Sequence, residues 1–350
     1  MNRIGLGWNS YFEETYQKIN KEEFLPARVR MEHRGGYELL TGEETYTAEL
    51  SGKFRFEAEQ RDSLPAVGDW VLISPGTDQK AMIHYLLPRK SKFSRKIAGT
   101  TTEEQIIVAN VDTVFLVNAL NQDFNPSRIE RYLVMAWESG ANPVIVLSKA
   151  DLCEDIEEKV SALSNLAVGV PVHAVSSATE EGLERLTSYL TEGTTTALLG
   201  SSGAGKSTLI NKLYGKEIQV VQDIREDDGK GKHTTTSREL ITLPSGGVLI
   251  DTPGMRELQL WETDHLSQSF PDIEAFAQQC RFRDCQHDGE PKCAVRNAIE
   301  EGILEERRFE NYKKFHRELA FLERQTNKKA QLDEKKKWKK IAGDRTRKHR

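Results

Sequence analysis

Residues 200–207 read GSSGAGKS, and the residue types and their spacing suit one task, the holding of a phosphate chain. Gly200, Gly203 and Gly205 let the backbone turn tightly and aim its N–H groups at phosphate oxygens, at the start of a helix whose dipole favours an anion. Lys206 is then placed to reach the β and γ phosphates, and the Ser207 hydroxyl to ligate the Mg2+ that bridges them. The flanks agree. TTTALL at 194–199 has the pattern of a buried strand and KSTLINKLY at 206–214 has helical apolar spacing, the setting such a loop requires and a chance Gly/Ser turn lacks.

A second segment, Asp251-Thr252-Pro253-Gly254, follows the apolar run GVLI at 247–250, a short strand that places Asp251 at its carboxyl end beside the magnesium. The threonines at 234–236, centred on Thr235, offer a hydroxyl to Mg2+ and the γ phosphate. Asp151 answers which base is held. A carboxylate accepts from guanine N1–H and its exocyclic amine, whereas adenine presents an acceptor at N1 and is repelled. Asp151 follows the buried run PVIVL at 143–147, and Ser176 and Ser177 follow PVHAV at 171–175, so both loops lie at strand carboxyl ends, where open α/β sheets bind ligands. The base-reading pieces precede the phosphate loop instead of following it, which is the order of a circularly permuted GTPase.

This order, the GKGKHTTT stretch at 229–236 and a cysteine cluster near 280–293 resemble the small-subunit ribosome biogenesis GTPases of the RsgA (YjeQ/YloQ) type over nearly the whole chain. The resemblance implies that Ser148, Lys149, Ala150 and Asp151 bind the nucleotide together with Gly200, Ser201, Ser202, Gly203, Ala204, Gly205, Lys206, Ser207 and Thr208. Two departures stand out. Ser148 occupies the place where the base motif usually has Asn, often Thr in this family, and it cannot make the same amide contacts, so guanine selection leans on Asp151. Met255 stands directly after Gly254, where conventional small GTPases carry the Gln that orients the attacking water. A thioether cannot do this, so slow intrinsic hydrolysis is expected. His233, beside the threonines, is the candidate catalytic residue because an imidazole accepts from water near neutral pH; the competing reading is a solvated loop histidine.

Cys280, Cys285, His287 and Cys293 follow C-x4-C-x-H-x5-C, three thiolates and one imidazole within reach of one tetrahedral ion. A structural zinc site is expected. Iron is the other ion that such a set admits, and a disulfide, the competing use of the thiols, would leave an odd cysteine in the cluster. Cys153 is expected to be a small half-buried side chain.

The remaining elements must position these groups. From about 27 to 92 short alternating segments (27–32, 36–40, 45–50 and 69–73) are separated by Gly, Pro and Asp turns, which suits a small closed barrel; the resemblance makes it an OB-fold. Strands and helices then alternate through 111–120, 128–138, 155–166 and 181–190, which gives a mostly parallel sheet covered on both faces. After the cysteines, apolar residues at 295, 299, 303, 312, 315, 319 and 322 recur near helical spacing. The expected organisation is an arm at 1–26, the OB-fold barrel at 27–100, a circularly permuted α/β P-loop GTPase at 103–259 and a zinc-binding α-helical domain at 260–350.

Charge is uneven. Residues 324–350 hold twelve Lys/Arg against three Asp/Glu within a chain of net charge −5. Such segregation, with Trp338 among the lysines, suggests an RNA-binding arm; a solvated helix end is the plainer reading. No apolar run approaches the ~18 residues that span a bilayer, and the amino terminus lacks the pattern of a secretory leader. The expectation is a cytoplasmic monomer that acts on GTP and binds the small ribosomal subunit and its rRNA. The rival is a GTP-dependent RNA-binding regulator that seldom hydrolyses; a stand-alone ATPase or kinase conflicts with Asp151.

Overall fold

The computed structural model describes residues 2–42, 44–58, 61–96, 104–218, 238–252 and 269–326. These fall into two compact units, one reaching residue 252 and one over residues 269–326. No described helix is long and apolar enough to cross a membrane.

The first unit opens with a helix, α1 (Ser10–Ile19), whose first turn is held by Asn9: its side-chain oxygen accepts from the Tyr11 and Phe12 N–H groups. Five strands follow, β1 (Leu25–His33), β2 (Gly36–Leu40), β3 (Thr45–Leu50), β4 (Trp70–Pro75) and β5 (Lys80–Leu86), with a one-turn helix, α2 (Gly52–Glu57), between β3 and β4. They close in the order β1-β2-β3-β5-β4, antiparallel throughout except for the β3–β5 pair, the arrangement of an OB-fold-like barrel. Alternation explains the interior. Along β3, Tyr46 and Ala48 point inward and Thr45 and Thr47 outward, and the inward set packs with Val29, Leu39, Val71, Ile73 and Ile83. Outside the barrel, Leu6, Trp8 and Phe12 bury themselves against Trp70, Leu72 and Leu87, so the arm is part of this unit's core.

Two strands that the alternating pattern did not announce, β6 (Lys92–Lys96) and β7 (Glu104–Ala109), pair antiparallel after the barrel. Beyond them come β8 (Thr113–Ala119), α3 (Pro126–Ser139), β9 (Asn142–Ser148), α4 (Ile156–Leu166), β10 (Val172–Ala174), α5 (Glu184–Thr187), β11 (Thr195–Gly200), α6 (Lys206–Tyr214), β12 (Glu239–Thr242) and β13 (Val248–Asp251). The sheet order is β10-β9-β8-β11-β13-β12, parallel except for the edge strand β12. Phe115, Val117, Val146, Leu198 and Leu249 on one face meet Leu186, Leu209 and Ile210 in the principal core. The helix expected at 181–190 is reduced to the four residues of α5. Gly182 has φ of 77°, which a right-handed helix excludes, and a Cβ there would strike the Ala174 carbonyl.

Arg28 of β1 locks barrel, arm and sheet together. Its guanidinium, fully buried, donates to the carbonyls of Gly68 (3.2 Å), Asn110 (3.1 Å) and Leu6, and lies over the Trp70 ring. Arg30, on the same strand, reaches Glu38 of β2 and, at 2.6 Å, Glu239 of β12.

The second unit contains α7 (Pro271–Ala277), α8 (Ala294–Glu300) and α9 (Glu306–Thr326). Val295, Tyr312, Phe315 and Leu319 of the helical pattern are buried with Phe270, Ile273 and Phe309. Ile303 is not; it lies in the turn between α8 and α9 at 64% exposure. Arg308 forks onto Asp272 at 2.6 and 2.7 Å and stacks on Phe270, fixing α9 to α7.

Candidate nucleotide site and metal-binding cluster

Strands β8, β9, β10, β11 and β13 are parallel, so their carboxyl ends share one edge of the sheet. At that edge the structure gathers Ser148, Lys149, Ala150 and Asp151, Ser176 and Ser177, the run from Gly200 to Thr208, and Asp251. His233 and the threonines around Thr235 lie outside the described residues, as do Gly254 and Met255, and most of the basic tail.

The phosphate-type loop joins β11 to α6. Gly200 packs so closely on β8 that a Cβ would collide with the Val117 carbonyl; Gly203 and Gly205 adopt φ of 80° and 86°, and Gly205 begins α6. Lys206 folds back over the loop, its Nζ donating to the carbonyls of Gly200 (2.8 Å) and Ser201 (2.9 Å). Asp251, 2% exposed, ends β13 beside β11. Burial raises its pKa above the ordinary carboxylate value; the Lys206 charge pulls it down and the Glu239 charge across the strand pair pushes it up. Thr252 donates to the Leu198 carbonyl, closing the end of the strand.

The base-loop residues meet this loop directly. Ser148 is buried and its Oγ–H donates to the Ala204 carbonyl at 2.6 Å, so a hydroxyl ties the end of β9 to the loop even though it lacks an amide. Lys149 takes a left-handed conformation, φ 58°, with its stem near Gly205. Asp151 is exposed at the mouth and oriented from behind: Ser176 Oγ–H donates to its Oδ1 at 2.6 Å while accepting from the Ala178 and Thr179 N–H groups. Ser177 is half-buried beside it. Cys153 is half-buried and accepts from Lys159 Nζ at 3.2 Å.

In the second unit the ligand atoms of Cys280, Cys285, His287 and Cys293 all lie within 4.8 Å of one another, and none of these cysteines is in a disulfide. Cys280 Sγ is 3.9 Å from Cys293 Sγ, and His287 Nδ1 is 3.6 and 3.3 Å from those sulfurs. Tetrahedral bonds of ~2.3 Å to sulfur would hold two sulfurs ~3.8 Å apart, so the set fits one four-coordinate ion. The loop is braced around it. Glu290 accepts from the Gln286 and Asp288 N–H groups, which draws its pKa down to about 2, and Arg296 donates to the His287 carbonyl at 2.9 Å.

A protein-family model for the RsgA GTPase matches residues 86–261. The small ribosomal subunit biogenesis GTPase RsgA 2 of Lactiplantibacillus plantarum is 46% identical over 321 residues, covering 92% of this chain and 90% of that protein. RsgA 1 of Oceanobacillus iheyensis is 47% identical, covering 91% and 92%. The chain belongs to the RsgA GTPase family. Solved RsgA-type structures agree: YjeQ from Thermotoga maritima covers 85% of this chain and 99% of its own at 30% identity and TM-score 0.63. YloQ, a circularly permuted GTPase, covers 85% and 95% at 28% identity and TM-score 0.60. The chain is therefore a circularly permuted P-loop GTPase, a GTP hydrolase by class, with an OB-fold-like barrel before the GTPase part and a Cys3His metal-binding cluster after it.

The sequence reading missed one contact at the RsgA-type phosphate loop. Asp123, in the loop after β8, accepts from Ser201 Oγ–H at 2.6 Å. Its signal is position alone: every loop that leaves a carboxyl end of this sheet faces the site. Replacing Ser148 by Ala strips a buried carbonyl of its donor, and an unsatisfied buried group costs ~1–3 kcal/mol. Chemical denaturation of Ser148→Ala should show a loss in that range; an unchanged midpoint would mean that the tie is absent in solution.

Proposed function

We propose that this chain hydrolyses GTP while bound to the small ribosomal subunit and its rRNA, acting late in maturation of that subunit and released once the γ phosphate is gone. The observation that carries the nucleotide half is the 2.6 Å bond from Ser148 to the Ala204 carbonyl, which brings the base loop and phosphate loop to one place although they lie more than fifty residues apart. In this reading Asp151, held by Ser176, accepts from guanine N1–H and its amine, with Ser177 beside it. The N–H groups of the 200–208 run receive the phosphates, and Lys206, held by the Gly200 and Ser201 carbonyls, presents its ammonium to them. Ser207 and Asp251 would hold a Mg2+ ion, whose charge would offset that of the phosphates. Burial raises the pKa of Asp251, and such an ion would favour its carboxylate form. Thr235, Gly254 and His233 complete the proposal from the sequence.

The partner half rests on the names of the relatives, small ribosomal subunit biogenesis GTPases, and on two exposed basic-aromatic features. Phe56 is 90% exposed on α2 beside Lys53 and Arg55, and Phe282 stands between Arg281 and Arg283 on the cysteine loop. Both offer a ring for base stacking next to cations for phosphates. The arm, barrel, GTPase and zinc-binding segments at 1–26, 27–100, 103–259 and 260–350 are kept as working divisions, with β6 and β7 pairing across the second boundary. A cytoplasmic monomer is part of the same proposal.

We assign zinc to the Cys3His cluster because all four positions are protein ligands and leave no open place for chemistry. Elemental analysis should find about one zinc per chain. Iron in its place, or no metal, would overturn the assignment.

Steady-state turnover of GTP and ATP, alone and with isolated small or large subunits, tests the whole reading. GTP turnover should be slow alone, because Met255 cannot orient water, and should rise steeply with small subunits only. Tight GTP binding with no stimulation would point instead to the non-hydrolysing regulator, and equal stimulation by large subunits would remove the stated partner.

A further inference from the structure

The loop between β8 and α3, residues 120–125, belongs to none of the segments that mark a GTPase, yet it touches the phosphate-type loop on one side and α4, which follows the Asp151 loop, on the other. Asp123 Oδ2 accepts from Ser201 Oγ–H at 2.6 Å, and Arg128 grips the same carboxylate with two bonds at 2.6 and 2.9 Å. The loop itself is stiffened by its asparagines. Asn121 Oδ1 accepts from Asp123 N at 3.0 Å, and Asn125 Oδ1 caps α3 by accepting from Arg128 N at 3.1 Å. On the other side, Lys159 Nζ lies 5.6 Å from the centre of the Phe124 ring and donates to Cys153, two residues beyond Asp151.

Ser201 gives these contacts their meaning. Its carbonyl receives Lys206 Nζ, and its hydroxyl is held by Asp123, so the residue that aims the ammonium is fixed by the carboxylate. The hydrogen bonds to Asp123 are charge-assisted, and Arg128 is anchored in the first turn of α3, where its N–H donates to the capping Asn125 side chain. A loop that had to settle its own geometry on binding would lose affinity to that ordering.

We propose that Asp123 is a positioning residue of the nucleotide site: it latches Ser201 to the β8–α3 loop, so the phosphate loop and Lys206 are set before nucleotide arrives. The proposal rests on the reading of residues 200–208 as the phosphate site. It makes the strand–helix loop that opens this permuted sheet a working part of the GTPase.

The test is equilibrium binding of GDP to the full zinc-loaded chain and to Asp123→Ala, Asp123→Asn, Ser201→Ala and the Asp123→Ala/Ser201→Ala double variant. Each alanine variant should bind GDP about five- to twentyfold more weakly, and the double variant no more weakly than Asp123→Ala, because both substitutions break the same Asp123–Ser201 bond. Asp123→Asn keeps an oxygen that accepts from Ser201 while losing the charge that pairs with Arg128, so it should recover most of the affinity. A role confined to folding would instead damage Asn and Ala alike. Additive losses, equal damage in Asn and Ala, or an unchanged GDP affinity in Asp123→Ala would overturn the latch alone. A wild-type chain that bound no GDP would overturn the phosphate reading and the latch with it.

Discussion

The register of the five parallel strands is the constraint on which the rest of the structure depends. Thr196 to Gly200 of β11 pair with Thr113 to Val117 of β8, Thr195 to Leu198 pair with Val248 to Asp251 of β13, and the other parallel pairs run in the same sense. Hydrogen bonding fixes which strands lie side by side and where they end, but it is indifferent to the order in which the chain visits them. Every loop that leaves a carboxyl end therefore arrives at the same edge. A chain can present its base loop before its phosphate loop and build the same site, provided the connecting helices are long enough to cross back.

The permutation also decides what adjoins the site. Because β8 now opens the sheet, it follows directly on the barrel and the β6–β7 pair, and the junction is packed solid. Arg28 is the clearest sign of this. It is fully buried, which lowers its pKa to about 10, and three carbonyls from the arm, the barrel and the segment before β8 satisfy it. Removing one partner of such a group leaves the others buried and unpaired, so it enforces a single arrangement. Arg30 adds a half-buried bridge to Glu239, the first residue of β12, which lies across from Asp251. The barrel thus holds the strand that pairs with the one bearing Asp251.

The motifs were legible because each needs particular residue types at fixed spacing. Glycine at 200, 203 and 205, Asp151 after an apolar run, and four soft ligands within fourteen residues carry their chemistry in the sequence itself. The barrel strands and most of the sheet were legible from alternation and apolar runs. What escaped depended on tertiary contact. The β6–β7 pair has no clean alternation, α5 shrank because Gly182 cannot be helical, and Ile303 broke the apolar stripe at a turn. The sequence shows what the Ser148 hydroxyl cannot do for the base, whereas its bond to the Ala204 carbonyl exists only because the fold sets two distant loops side by side. Asp123 was hidden for the same reason.

The central claim is that segments scattered along the chain in permuted order form one guanine-nucleotide site. Displacement of a fluorescent GDP analogue by GDP and by ADP tests it most directly, because the phosphate loop treats the two alike and only the Asp151 loop tells them apart. The account predicts that GDP displaces the probe at a concentration at least about a hundredfold below that of ADP, since a carboxylate that faces the wrong base edge forfeits two hydrogen bonds and meets an acceptor. Displacement by ADP at the same concentration as GDP would show that the base loop does not face the phosphate loop, and would contradict the account.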